Sequence, residues 1–296
     1  MTLHRFTFFA MAAENEVQVH AEDPKRAEDA ANAAIAEVER IEAKYSRYRD
    51  DSVVSRINAA AGRDPVEIDE ETLNLLAFAD ACFRQSDGLF DATSGVLRRA
   101  WNFREPRVPS QAELDALLPL VGWEKVELAG RRVRLPRAGM EIDFGGFGKE
   151  YAVDRAARVM ADQDVASAMV NLAGDLAILG AQPGGAPWRV GIKHPRRDDK
   201  LLASIPVTSG AIASSGDYER FIEVDGVRHC HVLDPRTGRS ARGLQAVTVH
   251  AGTCLVAGSA TTIAMLKGRE AGLAWLDELG VAYLAVAGDG TVVERF

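Results

Sequence analysis

The segment Glu141-Ile-Asp-Phe-Gly-Gly-Phe-Gly-Lys-Glu150 carries the strongest local signal in the 296-residue chain. Glycines follow Asp143, and the apolar spacing from Lys149 onward is typical of a helix. We therefore predict that a short strand ends at Asp143 and turns directly into a helix. Backbone N–H groups at the start of such a helix, with a lysine ammonium beside them, are suited to hold a phosphate group. The alternative is that the glycines only make a tight turn, because a lone glycine-rich motif is a weak signal.

Strand and helix patterns precede this segment. Apolar residues that alternate in Phe6–Ala10 and in Val17–His20 predict a hairpin, with Ala13-Glu-Asn15 between its strands. Asp23, followed by proline, predicts the start of a helix whose apolar face extends to Tyr48. We expect that face to lie against a sheet.

Further helices and strands are expected along the rest of the chain. The helices are predicted at about 70–85, from Ser110 onward, at about 255–267 and at about 269–279. Short strands predominate between Ala166 and His250. Because the regular strand-helix alternation of a doubly wound sheet is absent, we predict an α+β fold with a mixed, largely antiparallel sheet and flanking helices. No linker-like stretch divides the chain, so residues 1–296 are expected to form a single domain.

The overall composition argues against several classes of protein. A formal charge of -8 disfavours a nucleic-acid-binding surface, which requires clustered basic side chains. No apolar run approaches the ~20 residues that span a bilayer. Met1–Met11 lacks the apolar core of a signal peptide, so a cytoplasmic protein is expected. Cys82, Cys230 and Cys254 are odd in number and scattered, which indicates neither a disulfide framework nor a zinc site.

Several polar residues interrupt the predicted helices and strands. Asp91 lies in a turn between helices, where it could accept a hydrogen bond from a ligand or cap the next helix. Asn171-Leu-Ala-Gly-Asp175 is predicted to be a turn between apolar strands. His231 could act as a general base, stack on a ring system or be structural. The hydroxyls of Thr261 and Thr262 could bond to the preceding helical turn or ligate a hard cation.

Six segments, taken in order, extend over nearly the whole chain. They are Ser46-Arg-Tyr-Arg-Asp-Asp-Ser52 with Ser55-Arg-Ile-Asn58, Phe90-Asp-Ala-Thr-Ser-Gly95, Ile142-Asp-Phe-Gly-Gly146, Val170-Asn-Leu-Ala-Gly-Asp175, Ser215-Gly-Asp-Tyr-Glu-Arg220 and His231-Val-Leu-Asp-Pro-Arg-Thr-Gly238. Their order and spacing resemble the motifs of one family, the FAD:protein FMN transferases, often called the ApbE family.

The resemblance implies that FAD is the substrate and is split at its diphosphate. The FMN part would pass to a Thr or Ser hydroxyl of an acceptor protein, and AMP would be released. Mg²⁺ would be the cofactor that neutralises charge on the diphosphate. Two alternatives stay open: an FAD diphosphatase, in which water takes the phosphoryl group, and a non-catalytic FAD-binding protein.

The same resemblance assigns roles to individual residues. His231 would act in the transfer, most simply by taking the proton of the acceptor hydroxyl. Gly146 would offer a carbonyl oxygen to the metal, and Thr262, with Thr261, would lie at the C-terminal metal motif. The positions that match the expected FAD site are Met11, Tyr48, Leu89, Phe90, Asp91, Asp143, Lys149 and Val232.

The sequence departs from the family pattern at the metal motif. The family's Asp-Ala-Leu-Ala-Thr corresponds to Gly258-Ser-Ala-Thr-Thr262, so a glycine stands where the metal-binding aspartate is expected. A second departure places Glu150 after Lys149, where the family usually has glycine. We hypothesise that the Glu150 carboxylate replaces the aspartate, since Mg²⁺ prefers oxygen ligands that include carboxylates. The alternative is that Glu150 is simply a favourable acidic residue in the first turn of a helix.

Overall fold

The computed structural model of the protein describes residues 1–296. Its α-helices are α1 (Pro24–Tyr45), α2 (Val53–Ala59), α3 (Glu70–Gln85), α4 (Gln111–Leu117), α5 (Gly148–Ala161), α6 (Cys254–Lys267) and α7 (Arg269–Leu279). Its strands are β1 (Thr2–Ala10), β2 (Ala13–Ala21), β3 (Val66–Glu67), β4 (Glu127–Ala129), β5 (Arg132–Arg134), β6 (Ala168–Leu172), β7 (Asp175–Leu179), β8 (Trp188–His194), β9 (Arg197–Val207), β10 (Gly210–Gly216), β11 (Phe221–Val224), β12 (Val227–Cys230), β13 (Leu244–Ala251), β14 (Ala282–Ala287) and β15 (Val292–Arg295).

Eight strands form one sheet that includes both the first and the last strand of the chain. Its order is β1-β2-β6-β7-β10-β13-β14-β15, and every neighbouring pair in it is antiparallel. Smaller sheets are formed by β3-β5-β4, β8-β9 and β11-β12. Helices and antiparallel strands are therefore mixed along the chain, which confirms the predicted α+β class.

The main sheet lies between a layer of helices and a hairpin. In β10, Ala211 and Ala213 pack into the core that α1, α5 and α6 share with the sheet. Ile212, between them, points to the other face and packs in a separate cluster with Trp188 of β8. This alternation is the two-residue period of a strand that is buried on both faces. The sheet therefore holds the three helices in fixed positions.

The predicted first hairpin is present, but its turn lies earlier than the sequence indicates. β1 and β2 pair as far as Ala10 and Ala13, so that only Met11 and Ala12 form the turn. Both turn residues have positive φ angles, of 53° and 60°. This conformation matches the twist of the paired strands in a two-residue hairpin turn, and it explains why Ala13–Asn15 belongs to β2 instead.

Helix α1 starts as predicted but ends before Tyr48. The Asp23 carboxylate accepts a hydrogen bond from the backbone of Lys25, which caps the helix. Ser46 has a ψ angle of 123°, which is extended and ends the helix at Tyr45. Tyr48 is 79% exposed, so it does not belong to the buried apolar face that the periodicity suggests.

Most other predicted helices are confirmed. Helix α3 occupies the expected residues 70–85, and α6 and α7 lie within one residue of their predicted bounds. Ser110 and Glu113 form the predicted capping box, in which each side chain bonds to the backbone of the other. The cysteines Cys82, Cys230 and Cys254 are all buried and unpaired, as expected. None of the helices combines the length and the apolar composition that crossing a membrane requires.

The segment before α5 is not the predicted strand. Residues 141–144 have no regular secondary structure, because their partner is a side chain instead of a neighbouring strand. The amide of Asn58 donates to the Ile142 carbonyl at 3.0 Å and accepts from the Ile142 N–H at 2.7 Å. The backbone of Asp143 donates to the Ala92 carbonyl at 2.8 Å. These contacts hold residues 142 and 143 in place, and a turn over residues 145–147 then leads into α5 at Gly148.

A half-buried carboxylate joins two helices of the helical layer. Asp154 of α5 accepts hydrogen bonds from the N–H groups of Cys254 and Leu255, at 2.7 and 2.9 Å. These are the first residues of α6, where backbone N–H groups have no partner within the helix. The hydroxyl of Thr253 caps the same end. The start of α6 is therefore fixed against the middle of α5.

We predict that Asn58→Ala lowers the free energy of unfolding by about 1–3 kcal/mol or more, because it leaves buried polar groups of Ile142 without partners. Chemical denaturation monitored by circular dichroism would measure the change. The control is the same substitution at Asn74, an exposed residue of α3, which should alter stability by no more than about 0.5 kcal/mol. Equal effects at the two positions would show that the segment does not depend on the Asn58 side chain.

Candidate functional site

The N-terminal end of α5 meets β7, α6 and, through α6, β10 at one corner of the helical layer. Phe144 and Phe147 are buried, with ring centroids 4.8 Å apart, and they anchor the glycine-rich turn in the core. No side chain caps α5 at Phe147. A helix start without a capping side chain favours an anion, since its backbone N–H groups point outward along the helix axis.

Lys149 supplies a fixed positive charge at this corner. Its Nζ lies 2.7 Å from Oδ2 of Asp175, the first residue of β7. Asp175 is only 3% exposed, and its other oxygen accepts from the Ser214 backbone at 3.3 Å. Burial alone would lower the pKa of Lys149, but the charges of Asp175 and Glu150 raise it above its usual value. Lys149 is therefore protonated and held in place.

A chain of hydroxyls connects β10 with α6. The Ser215 hydroxyl lies 2.8 Å from the Thr261 hydroxyl and 3.3 Å from that of Thr262. The Thr261 hydroxyl also donates to the Gly258 carbonyl at 2.8 Å, which is a bond to the preceding helical turn. Thr261 is completely buried, whereas Thr262 is partly exposed. Thr262 is therefore the more accessible oxygen of the two.

Glu150, next to Lys149, is buried without a hydrogen-bonding partner for one of its oxygens. The residue is 8% exposed, and its Oε2 is shielded from solvent and unpaired. Burial, with the negative charge of Asp175, raises the pKa of Glu150 to about 8, and Lys149 opposes this only in part. A buried carboxylate of this kind is unfavourable unless a proton or a cation compensates it.

The donor atoms at this corner suit a hard divalent cation. Carboxylates come from Glu150 and Asp175, hydroxyls come from Ser215 and Thr262, and all of these are oxygens of the kind that Mg²⁺ prefers. No three His, Cys, Asp or Glu side chains are grouped so that they could hold a metal ion by themselves. Phosphate oxygens of a ligand and water would therefore have to complete the coordination.

His231 follows β12 and lies on the open side of the corner. Its Nδ1 is 3.3 Å from the Arg220 carbonyl, and its backbone N–H donates to the same oxygen at 3.0 Å. Because a carbonyl only accepts, neutral His231 carries its proton on Nδ1 and has Nε2 free as a base. Desolvation by the surrounding protein lowers the pKa of His231, and the charges of Arg220 and Lys149 act in the same direction.

An exposed tyrosine lies at a basic rim near this histidine. The Arg47 guanidinium lies 4.9 Å from the Tyr48 ring centroid and donates to the Tyr48 hydroxyl at 2.8 Å. Arg47 also forms an ion pair with Asp143, which accepts from the Gly145 backbone as well. The hydrogen bond from Arg47 lowers the pKa of Tyr48, and the charges of Arg47, Arg220 and Arg98 contribute. The ring is thus presented to solvent among positive charges.

Leu89, Phe90 and Asp91 are buried, and the Asp91 carboxylate is already bonded within the protein. One oxygen accepts from the backbone and the hydroxyl of Thr93, and the other accepts from the Trp123 backbone at 2.9 Å. Burial raises the pKa of Asp91 despite these bonds. Asp91 therefore ties two loops together instead of capping a helix, and its predicted contact with FAD stays a prediction.

The structure brings most, but not all, of the predicted site residues to one corner. Those that are joined there by contacts or by their charges are Tyr48, Asp143, Lys149, Glu150, His231, Thr261 and Thr262. Phe90 adjoins this group, since its ring packs against Gly146. Val232 is buried beside His231. Met11 lies at the turn of the first hairpin, where its N–H donates to Glu42 at 2.8 Å.

The sequence-based prediction omits several residues that complete the corner. Asp175, predicted only as part of a turn, carries the partner of Lys149. Ser215, Arg47 and Arg220 make the contacts described above. All four residues belong to segments that carry the family resemblance. The sequence therefore contains a signal for these segments, but only the folded structure shows which of their side chains contact one another.

Comparison with known proteins gives consistent matches. The model of the ApbE family matches residues 11–285. The ApbE protein of Thermotoga maritima has a TM-score of 0.90 and 34% identity, covering 99% of this chain and 97% of that one. The flavinyl transferase ApbE of Pseudomonas stutzeri has a TM-score of 0.88 and 30% identity, with coverages of 99% and 95%. A Vibrio cholerae protein named FAD:protein FMN transferase is 32% identical over 244 residues, which are 80% of this chain and 73% of that protein.

We predict that Asp91→Ala and Tyr48→Ala differ sharply in their effect on the ligand-free protein. Asp91→Ala should lower the free energy of unfolding by about 2 kcal/mol or more, because buried donors of Thr93 and Trp123 lose their acceptor. Tyr48→Ala should change it by less than about 0.5 kcal/mol, since the ring is exposed. Urea denaturation measures both, and an unchanged stability of Asp91→Ala would contradict the structural role assigned to this carboxylate.

Proposed function

The chain belongs to the ApbE family, and from this premise we propose that it is an FAD:protein FMN transferase. It moves the FMN part of FAD onto a Thr or Ser hydroxyl of an acceptor protein and releases AMP. The observation that carries the proposal is that one site holds a fixed cation, Lys149, and an imidazole with a free nitrogen, His231, whose pKa the charge of Lys149 helps to lower. A diphosphate needs the first of these groups, and the proton of an attacking hydroxyl needs the second.

The proposed FAD site extends from the basic rim to the start of α5. Tyr48 offers an exposed aromatic face beside Arg47, which suits stacking on a flat, electron-poor ring. Lys149 and the uncapped helix start suit the diphosphate. The full set of residues proposed to line the site is Met11, Tyr48, Leu89, Phe90, Asp91, Asp143, Lys149 and Val232.

In the proposed reaction, the acceptor hydroxyl oxygen attacks the phosphorus on the FMN side of the diphosphate. His231 accepts the hydroxyl proton at Nε2, and the new phosphoester bond forms between the hydroxyl oxygen and the phosphorus. The bond from that phosphorus to the bridging oxygen breaks, and AMP leaves with the bridging oxygen. Lys149 stabilises the negative charge that develops on the phosphate oxygens.

We further propose that the enzyme uses Mg²⁺ at the same corner. The proposed ligands include the carbonyl oxygen of Gly146 and the hydroxyls of Thr262 and Thr261, beside the Ser215 hydroxyl. When bound, the cation neutralises the diphosphate and so favours departure of AMP. The buried, unpaired oxygen of Glu150 supports the presence of a cation, because it is otherwise unsatisfied.

The decisive experiment follows three products in one incubation. The purified protein is mixed with FAD and Mg²⁺, with and without a Thr-containing acceptor domain of a flavin-carrying electron-transfer protein. We expect AMP together with acceptor-bound flavin, and both should disappear when EDTA removes the cation. AMP and free FMN without the acceptor would instead identify an FAD diphosphatase, and intact bound FAD without AMP would identify a non-catalytic FAD-binding protein.

We predict that His231→Ala lowers the transfer rate by about 10²–10⁴-fold, the usual contribution of a general base, and leaves FAD affinity nearly unchanged. The matched control is His250→Ala, since His250 also bonds to a carbonyl, that of Ser209, but lies outside the corner.

In the unaltered enzyme the rate of transfer should fall on acidification, with a midpoint below the usual pKa of histidine, because the pKa of His231 is lowered and only its neutral form is a base. A rate that does not respond to His231→Ala contradicts this role.

A further inference from the structure

Glu150 and Gly258 occupy facing turns of two helices. Asp154 of α5 is bonded to the first N–H groups of α6, at Cys254 and Leu255. Glu150 lies one turn before Asp154, and Gly258 lies one turn after Cys254. Since these two pairs are in contact, the helices run antiparallel here, and the Glu150 side chain lies against the backbone of α6.

The Glu150 side chain fills the space that a side chain at position 258 would need. A Cβ atom built on Gly258 would lie 2.5 Å from Cγ of Glu150, 2.8 Å from its Oε1 and 3.0 Å from its Cδ. Contacts below 3.0 Å are essentially never seen for real Cβ atoms, so a side chain at position 258 would require the Glu150 side chain to move away. This explains a glycine in the buried interior of α6, a position that otherwise disfavours it.

The carboxylate that lies against Gly258 has one oxygen without a hydrogen-bonding partner. The Gly258 carbonyl accepts from Thr261, whose hydroxyl is bonded to Ser215. Lys149 is paired with Asp175 at 2.7 Å, and Oε2 of Glu150 has no hydrogen bond. Burial of one carboxylate oxygen without a partner suits a residue that binds a cation.

We propose that Glu150 and Gly258 are a reciprocal pair: the carboxylate ligand of the divalent-cation site comes from the first turn of α5, and position 258 of α6 is a glycine because that carboxylate occupies its side-chain space. The inference rests on the proposed function for the identity of the site, but it concerns which residue binds the metal. It follows that a carboxylate can serve the site from either helix, and that a side chain at position 258 displaces Glu150 from its present place.

The test compares cation binding in four proteins, with Mn²⁺ as the probe and the free-ion electron paramagnetic resonance signal as the readout, both without and with FAD. The variants are Glu150→Gln, the exchanged protein Glu150→Gly with Gly258→Asp, and Glu70→Gln. Glu70 is a matched control, because it is an exposed acidic residue in the first turn of α3. Thermal midpoints are measured alongside, in EDTA and in Mg²⁺.

Glu150→Gln should weaken Mn²⁺ binding by at least about tenfold, since even indirect partners of a metal site contribute that much. It should not lower the thermal midpoint in EDTA, because the amide fills the same space and Oε2 of Glu150 makes no hydrogen bond that would be lost. The exchanged protein should recover most of the lost affinity, and Glu70→Gln should bind like the unaltered protein. A further variant, Gly258→Asp alone, is followed only by its thermal midpoint, which should fall because the new side chain overlaps with Glu150.

Two results would overturn the inference. The first is that the Glu150→Gln variant binds Mn²⁺ with the same affinity as the unaltered protein. The second is that the exchanged protein folds but recovers none of the lost Mn²⁺ affinity. A lower midpoint in EDTA with unchanged binding would assign Glu150 a purely structural role. Because binding is read without turnover, these outcomes are separate from the flavin-transfer assay: absence of AMP release from the unaltered protein would contradict the proposed function alone.

Discussion

The hydrogen bonding of the Asp154 carboxylate to the first N–H groups of α6 sets the geometry on which the candidate site depends. It fixes the register of α5 against α6, and so it sets which residues one helical turn away on the two helices lie opposite each other. Glu150 therefore meets Gly258, and Thr261 is carried towards Ser215 of β10. A half-buried carboxylate one helical turn from Glu150 thus helps to determine which oxygens converge.

Much of the fold could be predicted because its signals are local. Helix α3 begins where Asp69 caps it, α4 begins at the Ser110 capping box, and the alternation of β10 reflects its two buried faces. The segment at 141–144 resembles a strand only in its extended backbone, since its hydrogen bonds go to Asn58, 84 residues earlier. No local sequence pattern indicates a partner so far away in the chain. The end of α1 before Tyr48 could not be predicted from a local pattern either.

The candidate site shows the same limit in a different form. The family resemblance identifies the segments that meet, including the one that contains Asp175, but it cannot distinguish a carboxylate bonded to the protein from one that is unpaired. Asp91 and Glu150 are both buried acids of the site region. The first is satisfied by Thr93 and Trp123, and the second has an oxygen with no partner. Only the folded structure separates the roles of these two residues, because each carboxylate is paired or unpaired according to the groups that other elements place beside it.

The basic rim around Tyr48 has a consequence for how quickly an anionic ligand can enter. The whole chain carries a formal charge of -8, whereas Arg47, Arg98 and Arg220 lie around Tyr48, and of these Arg47 and Arg98 are paired with Asp143 and Glu141. A dinucleotide approaching from a distance is therefore repelled, and one that arrives is attracted. At physiological ionic strength the Debye length is about 8 Å, which removes the distant repulsion but leaves the short-range attraction in place. We therefore expect moderate salt to weaken the repulsion more than the attraction, unlike at a site whose attraction for its ligand acts over a long range.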